Sequence, residues 1–403
     1  SSALKGPKGT TIAVEIERFG EGVKTISITR DEIKLPDVPY FGVLDKKIGY
    51  IKLNGFTQTA SADVYSAMQK LESDGMEELV LDLRGNGGGL LIEAAKIVNF
   101  FVPKNQVVVT TKGRIKDENR IYNTLTDPVA PNIPLTVLID AGSASASEIV
   151  AGSLQDMDRA VIVGETSFGK GLVQRTYDLK YGSKLKVTIA KYYTPSGRCV
   201  QRLEYYDKET GSNPKEIADS LLKTFKTKNG RVVKDGRGIE PDVKVELPEL
   251  SKLSVQMITK DLIFNYATEF ASQNKSIAKA GKFKLSDVEY TAFKQYVMKQ
   301  DFDYTTTSEE QLKKIKTSAE KEGYFKDIES EYQAMLTKLT PSKERDLDKF
   351  QEEIRQILEN EIVSRYYYQN GRTVDSFKND PILQKAKEVL MDHSLYQKIL
   401  NAP

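Results

Sequence analysis

Four short apolar runs, closed by turn residues and separated by helical patterns, constrain the fold of this 403-residue chain more than any other feature. They are Ile48–Leu53, Leu79–Leu83, Pro134–Ile139 and Ala160–Val163; helical periodicity occupies 62–74, 90–102 and 146–156. Runs this short are strands buried on both faces. Their alternation with helices predicts an α/β domain around a largely parallel sheet, over residues 36–248. In residues 1–35, Thr11–Glu17 and Val23–Ile28 alternate across Gly20-Glu-Gly22, the pattern of a hairpin. A second hairpin is predicted from Leu172–Leu179 and Lys184–Tyr193. Residues 249–403 read as a charged helical scaffold. There Phe350, Ile354, Ile357, Leu358 and Ile362 form the apolar stripe of one long helix, and Tyr366–Tyr368 are expected to pack on a neighbouring helix.

Composition then limits the chemistry. With 59 Lys+Arg against 57 Asp+Glu, the net charge of +2 gives no sign of a nucleic-acid binder or a polybasic membrane protein. No apolar run approaches the ~20 residues that span a bilayer, and the opening residues lack the apolar core of a signal peptide. The chain is thus expected to be a soluble mature form or a shortened piece. One cysteine, Cys199, forbids an intrachain disulfide and any cysteine-cluster metal site. One histidine, His393, forbids a His-rich metal site and leaves a single candidate for an imidazole base. No cofactor and no metal are expected, and the base of any hydrolase here should be Lys, Asp or Glu.

Three loops carry the candidate chemistry. Leu79-Val-Leu-Asp-Leu-Arg-Gly-Asn-Gly-Gly-Gly89 is a buried strand running into a glycine turn and a helix start, where bare backbone N–H groups suit an anion or a developing oxyanion. It lacks the third glycine of a dinucleotide fingerprint. Gly164-Glu-Thr-Ser-Phe-Gly-Lys170-Gly171 fits a phosphate loop except at Gly171, where Ser or Thr would hold Mg²⁺, and a strand pattern follows it where a helix should. Ala141-Gly-Ser-Ala-Ser-Ala-Ser147-Glu places three hydroxyls at a helix start, one of which would serve as a plain N-cap. A serine nucleophile needs a base. A lysine can supply it if its pKa falls from ~10.4 toward ~7, a shift of about 4 kcal/mol that burial without a counter-charge provides. The chain therefore contains the parts of a Ser-Lys acyl-transfer enzyme.

These stretches resemble the carboxyl-terminal processing peptidases, or tail-specific proteases. The resemblance rests on Leu81–Gly89, Gly142–Ile149, Val163–Gln174, Tyr193-Thr-Pro-Ser-Gly-Arg198 and Gly238-Ile-Glu-Pro-Asp242, in that order, and covers about residues 1–245. It implies Ser145 as nucleophile, Lys170 as general base and Gln174 as the residue that positions the lysine. The oxyanion donors would be the amides of Ala146 and of one glycine in 87–89, with Gly88 favoured. Gly89, Glu148, Asp156 and Ser167 would be supporting residues. The fold implied is a crotonase-like (ClpP/crotonase-type) α/β core with an N-terminal PDZ remnant and a C-terminal mostly helical domain. Implied partners are protein substrates with accessible C-termini; a regulatory or adaptor protein and a homo-oligomer are compatible with it, and the implied location is the periplasm or cell envelope. Two positions depart from the pattern: Asp158, where glycine is common, and Cys199, where serine is frequent. Ser143 and Ser147 remain rivals to Ser145, and Ser167-Phe-Gly-Lys170 also satisfies the S-x-x-K spacing of another serine-enzyme class. The reading from another functional class is a peptide-binding scaffold without turnover.

Overall fold

A computed structural model describes residues 2–33, 35–205 and 214–401. The ends of the expected 1–35 and 249–403 segments, Lys34, and 206–213 inside the expected core lie outside the described residues. The chain forms two compact units, residues 1–32 with 248–379 and residues 33–247 with 380–403.

The second unit is mixed α/β. Its six-stranded sheet is built from β3 (Tyr40–Val43), β4 (Ile48–Lys52), β5 (Glu78–Asp82), β8 (Leu135–Ile139), β9 (Val161–Gly164) and β16 (Val243–Lys244), in the order β16-β9-β8-β5-β4-β3. All neighbours are parallel except β3–β4. The four apolar runs supply β4, β5, β8 and β9, and β5, β8 and β9 are buried at every position, as two-sided coverage requires. The helices α1 (Ala60–Ser73), α2 (Leu91–Asn99) and α3 (Ala146–Asp156) pack their apolar residues into the core; α3 is buried throughout. A second, antiparallel sheet runs β10 (Leu172–Asp178), β11 (Lys184–Tyr193), β6 (Val107–Gly113), β7 (Arg120–Asn123), which leaves β10 at its edge. Short strands β12 to β15 (Leu203–Glu204, Lys215–Glu216, Thr224–Lys226, Val232–Lys234) form two further pairs.

The chain returns to this unit at its end. The helices α11 (Pro381–Met391) and α12 (His393–Asn401) lie against β8 and β9, with Ile382, Leu383, Ala386, Val389 and Leu390 buried. Asp380 caps α11 and accepts two hydrogen bonds from the Arg84 guanidinium, at 2.9 and 2.6 Å. Arg84 also pairs with Asp82 at 2.6 Å, and Asp82 accepts from Tyr50 and Lys52. Burial alone would raise the Asp82 carboxyl; Arg84 and Lys52 outweigh it and hold the group well below the usual carboxylate range. A depressed carboxylate contributes stability that is complete above its unfolded value, near ~4, and is lost as pH falls below it. Melting of wild type should therefore drop on acidification from about pH 5. Asp82→Asn should start about 3–5 kcal/mol lower at neutral pH and show a flatter profile in that window; parallel profiles would contradict the assignment. His393, at the start of α12, is largely exposed and lies 3.6 Å from Glu78.

The first unit contains the hairpin β1 (Thr11–Arg18)–β2 (Gly22–Thr29) and helices α4 to α10: Lys252–Thr259, Leu262–Gln273, Asp287–Met298, Thr307–Glu322, Phe325–Leu339, Lys343–Lys349 and Gln351–Ser376. The expected stripe is present, with Ile354, Leu358 and Ile362 fully buried. The long helix is not continuous, however. Tyr368 adopts φ 55°, ψ −153°, and the chain folds back, so that Asn360 bonds the Arg372 carbonyl at 2.9 Å. The reversal needs a glycine: a Cβ on Gly371 would lie 2.1 Å from that of Tyr367. Of the tyrosine cluster, Tyr366 and Tyr367 pack and donate to the carbonyls of Asn274 and Ile277, while Tyr368 is exposed. No described helix is long and apolar enough to cross a membrane.

Candidate active site

The three candidate loops leave the carboxyl ends of three adjacent parallel strands: the glycine loop from β5, the serine loop from β8 and the lysine loop from β9. Such ends are where open α/β sheets place their ligand sites. Asp140, just past β8, staples the first two loops. Its Oδ1 accepts from the amides of Gly85 (2.8 Å) and Gly142 (2.9 Å).

Only one of the three serines has a hydroxyl proton left for chemistry. Ser143 is fully buried and donates to the Leu83 carbonyl at 2.9 Å. Ser147 is fully buried and donates to the Asn86 carbonyl at 2.9 Å. Ser145 lies at the N-terminus of α3 with φ 57° and ψ −110°, a backbone conformation costly to a residue with a Cβ. Its hydroxyl donates no hydrogen bond among the described residues, and it lines a cleft of about 430 Å³ together with Gly87–Gly89, Lys170, Leu172, Gln174 and Tyr192. The Tyr192 hydroxyl donates to the Ser145 carbonyl at 3.1 Å.

Glu148 holds the serine and lysine loops together. Its Oε2 accepts from the amides of Ser145 (2.8 Å) and Lys170 (2.9 Å), its Oε1 from Ser167 Oγ (2.6 Å) and the Gly169 amide (2.7 Å). Burial pushes this carboxyl up from its ordinary range, and the four donors pull against it. Ser167 also accepts from the Ile239 amide at 2.7 Å. It is therefore a buried link and not an S-x-x-K nucleophile, and the loop after it opens into β10 where a phosphate loop would open a helix. Gly238 stands against this link, since a Cβ there would meet Ser167 at 2.7 Å. In Glu148→Gln an amide would turn donors toward donors. We expect kcat to fall about 10–100-fold with KM little changed; an unchanged kcat would contradict the role.

The oxyanion expectation needs one correction. The Gly88 amide donates to Asn86 Oδ1 at 2.9 Å, so in this arrangement it is not free. The amides of Gly87, Gly89 and Ala146 make no hydrogen bond among the described residues and are the open donors. Gly88 matters for space: at φ 96°, a Cβ would lie 2.6 Å from the Ala144 carbonyl oxygen and 2.8 Å from Ser145 Cβ. Asn86, absent from the expected residues, is the loop's organiser. Fully buried, it donates to the Leu53 carbonyl at 2.8 Å, and its own carbonyl accepts from the Ala144 amide at 3.0 Å. Its only signal in the sequence is a polar side chain among glycines.

Two other expected residues make no bond to Ser145 Oγ or Lys170 among the described residues. Gln174 lines the cleft beside a bulge in the β10–β11 register, but among the described residues it makes no bond to Lys170, nor does Ser145 Oγ. Asp156 ends α3, about 15 Å along the helix from Ala146, where it pairs with buried Arg198 at 2.9 Å and caps the Ser196 amide. It anchors the Tyr193–Arg198 turn and does not reach the site. Asp158 has φ 52°, which explains why a glycine would also fit there, and its carboxylate pairs with Arg231.

Comparison with known proteins places these loops in a matched segment. Residues 47–205, which include all three loops, match Peptidase family S41, and residues 253–390 match the family described as "Probable PDZ-protease, C-terminal helical domain". A carboxy-terminal-processing protease of Bartonella bacilliformis is 41% identical over 203 residues, 49% of this chain and 46% of that one. A carboxyl-terminal-processing protease of Picosynechococcus is 37% identical over 210 residues, 50% of this chain and 49% of that one. A photosystem II D1 C-terminal processing protease of known structure overlays loosely, with 27% identity and a TM-score of 0.40, over 60% of this chain and 57% of that one. The chain spans about half the length of the curated relatives it matches. Residues 47–205, which carry the glycine, serine and lysine loops in order, are thus similar to Peptidase family S41 and to curated carboxyl-terminal-processing proteases.

Proposed function

We propose that this protein is a serine endopeptidase that cuts protein substrates near their C-termini through an acyl-enzyme on Ser145. Ser145 Oγ attacks the scissile carbonyl carbon while Lys170 Nζ takes the hydroxyl proton. The C–N bond then breaks, and the same proton goes to the leaving amine. Water attacks the ester, gives a proton to Lys170, and the acid product departs as Ser145 regains its hydrogen. The Ala146 amide at the start of α3, with Gly87 or Gly89, would receive the oxyanion. The edge of β10 next to Lys170 would take the substrate as an added strand, closing the distance between hydroxyl and amine that the resting site leaves open.

The observation that supports this best is the strained backbone at Ser145, whose hydroxyl donates no hydrogen bond among the described residues and shares with Lys170 a cleft that no described Asp or Glu lines. The α/β core is on this reading crotonase-like, the hairpin β1–β2 the end of a PDZ module, and the place of action the periplasm or cell envelope. The test is mass spectrometry of an unfolded model protein incubated with wild type and with Ser145→Ala. Fragments released from the C-terminal region by wild type alone are the expected result. Binding without fragments would favour a peptide-binding scaffold.

A further inference from the structure

The cations of the β10–β11 ribbon divide according to where they lie. Arg175 is held by Glu118 at 2.7 Å, and Lys184 is paired with Asp178, both outside the cleft. Lys186 lines the cleft with Ser145 and Lys170, and it makes no ion pair or hydrogen bond among the described residues. Lys191, which lines the adjoining pocket on the other side of Lys170, is likewise without an acidic partner among them. No Asp or Glu lines the Ser145 cleft among the described residues.

Its position along the ribbon can be counted. Lys186 stands opposite Thr176, two residues past Gln174. At the rise of a strand this is about 7 Å beyond Gln174, which lines the cleft with Ser145 and Lys170. A peptide added along that edge would bring the residue two or three positions from the scissile bond under the ammonium. Resting on the peptidase reading above, we propose that Lys186 is a specificity-determining residue that binds a substrate carboxylate two or three residues from the bond to be cut. The carboxylate is either an acidic side chain or the substrate's free C-terminus. A charge-assisted bond of N⁺–H···O⁻ type forms as the bound strand displaces water from the cleft.

Matched peptides separate the sources. One pair differs only in a free or amidated C-terminus; the others exchange Glu for Gln, in amidated peptides, at each of three positions on either side of the bond. Turnover is compared for wild type and Lys186→Met, and binding for Ser145→Ala and Ser145→Ala with Lys186→Met. The wild-type preference for the carboxylate peptide should be about five- to tenfold at low salt. It should fall toward unity in Lys186→Met and at high salt, and Lys186→Glu should invert it toward peptides with Lys at that position. A preference between acid and amide ends assigns the free terminus, one between Glu and Gln a side chain. The same ratio in wild type and Lys186→Met, in turnover and in binding, would overturn the proposal. Absence of all turnover would sink the peptidase reading, and the binding ratios would still decide Lys186.

Discussion

Replacing Ser145 by alanine should lower peptide turnover by at least about a thousandfold and leave the melting temperature nearly unchanged. The asymmetry follows from its surroundings: the hydroxyl donates no hydrogen bond among the described residues, so no other part of the fold depends on its proton. The neighbouring serines should behave in the opposite way. Ser143→Ala and Ser147→Ala each remove a buried bond to a loop carbonyl, at 2.9 Å in both cases, and should cost about 1–2 kcal/mol of stability. Ser145→Gly carries the argument further. At φ 57° a glycine relieves the strain, so this variant should be more stable than wild type by about 1 kcal/mol and inactive. A Ser145→Ala protein with wild-type turnover would end the nucleophile assignment; a destabilised one would mean that the hydroxyl has a structural role.

Lys170 should be as intolerant, for a different reason. Lys170→Ala removes the proposed proton acceptor, and Lys170→Arg keeps a positive charge in the cleft that never deprotonates, so both should lose about 10²–10⁴ in kcat. The arginine variant separates a base from an electrostatic role, since a residue needed only for its charge would be rescued by it. Because a lysine accepts a proton only when neutral, single-turnover rates of wild type should rise with pH across the neutral range. A flat profile from about pH 5 to 9, or an active Lys170→Arg, would contradict the assignment.

The parts legible in the sequence are those governed by local chemistry. A run such as Leu79-Val-Leu-Asp-Leu83 has no polar face to expose, so it reads as a buried strand, and the glycines in 85–89 read as a turn. Long-range choices are not legible in the same way. The stripe of α11 shows an apolar face but not that its partners are β8 and β9, more than two hundred residues earlier. Periodicity through Ile354, Leu358 and Ile362 predicts helix but not that Tyr368 takes the turning conformation in a run of three tyrosines. The serine motif narrows the nucleophile to three residues; deciding among them requires seeing which hydroxyls are spent on carbonyls of the glycine loop. Asp156 illustrates the converse: eleven residues of helix carry it out of reach of the chemistry whatever its motif suggests.

The central claim is that Ser145 is the residue that becomes acylated and that Lys170 activates it. Intact-protein and peptide mass spectrometry after reaction with an acyl-serine reagent, followed as a function of pH, tests this most directly. The account predicts a single adduct on Ser145 that forms faster as pH rises in wild type, slowly at every pH in Lys170→Ala, and not at all in Ser145→Ala. An adduct on Ser143, Ser147 or Ser167, or labelling of Ser145 at the same rate with and without Lys170, would contradict it.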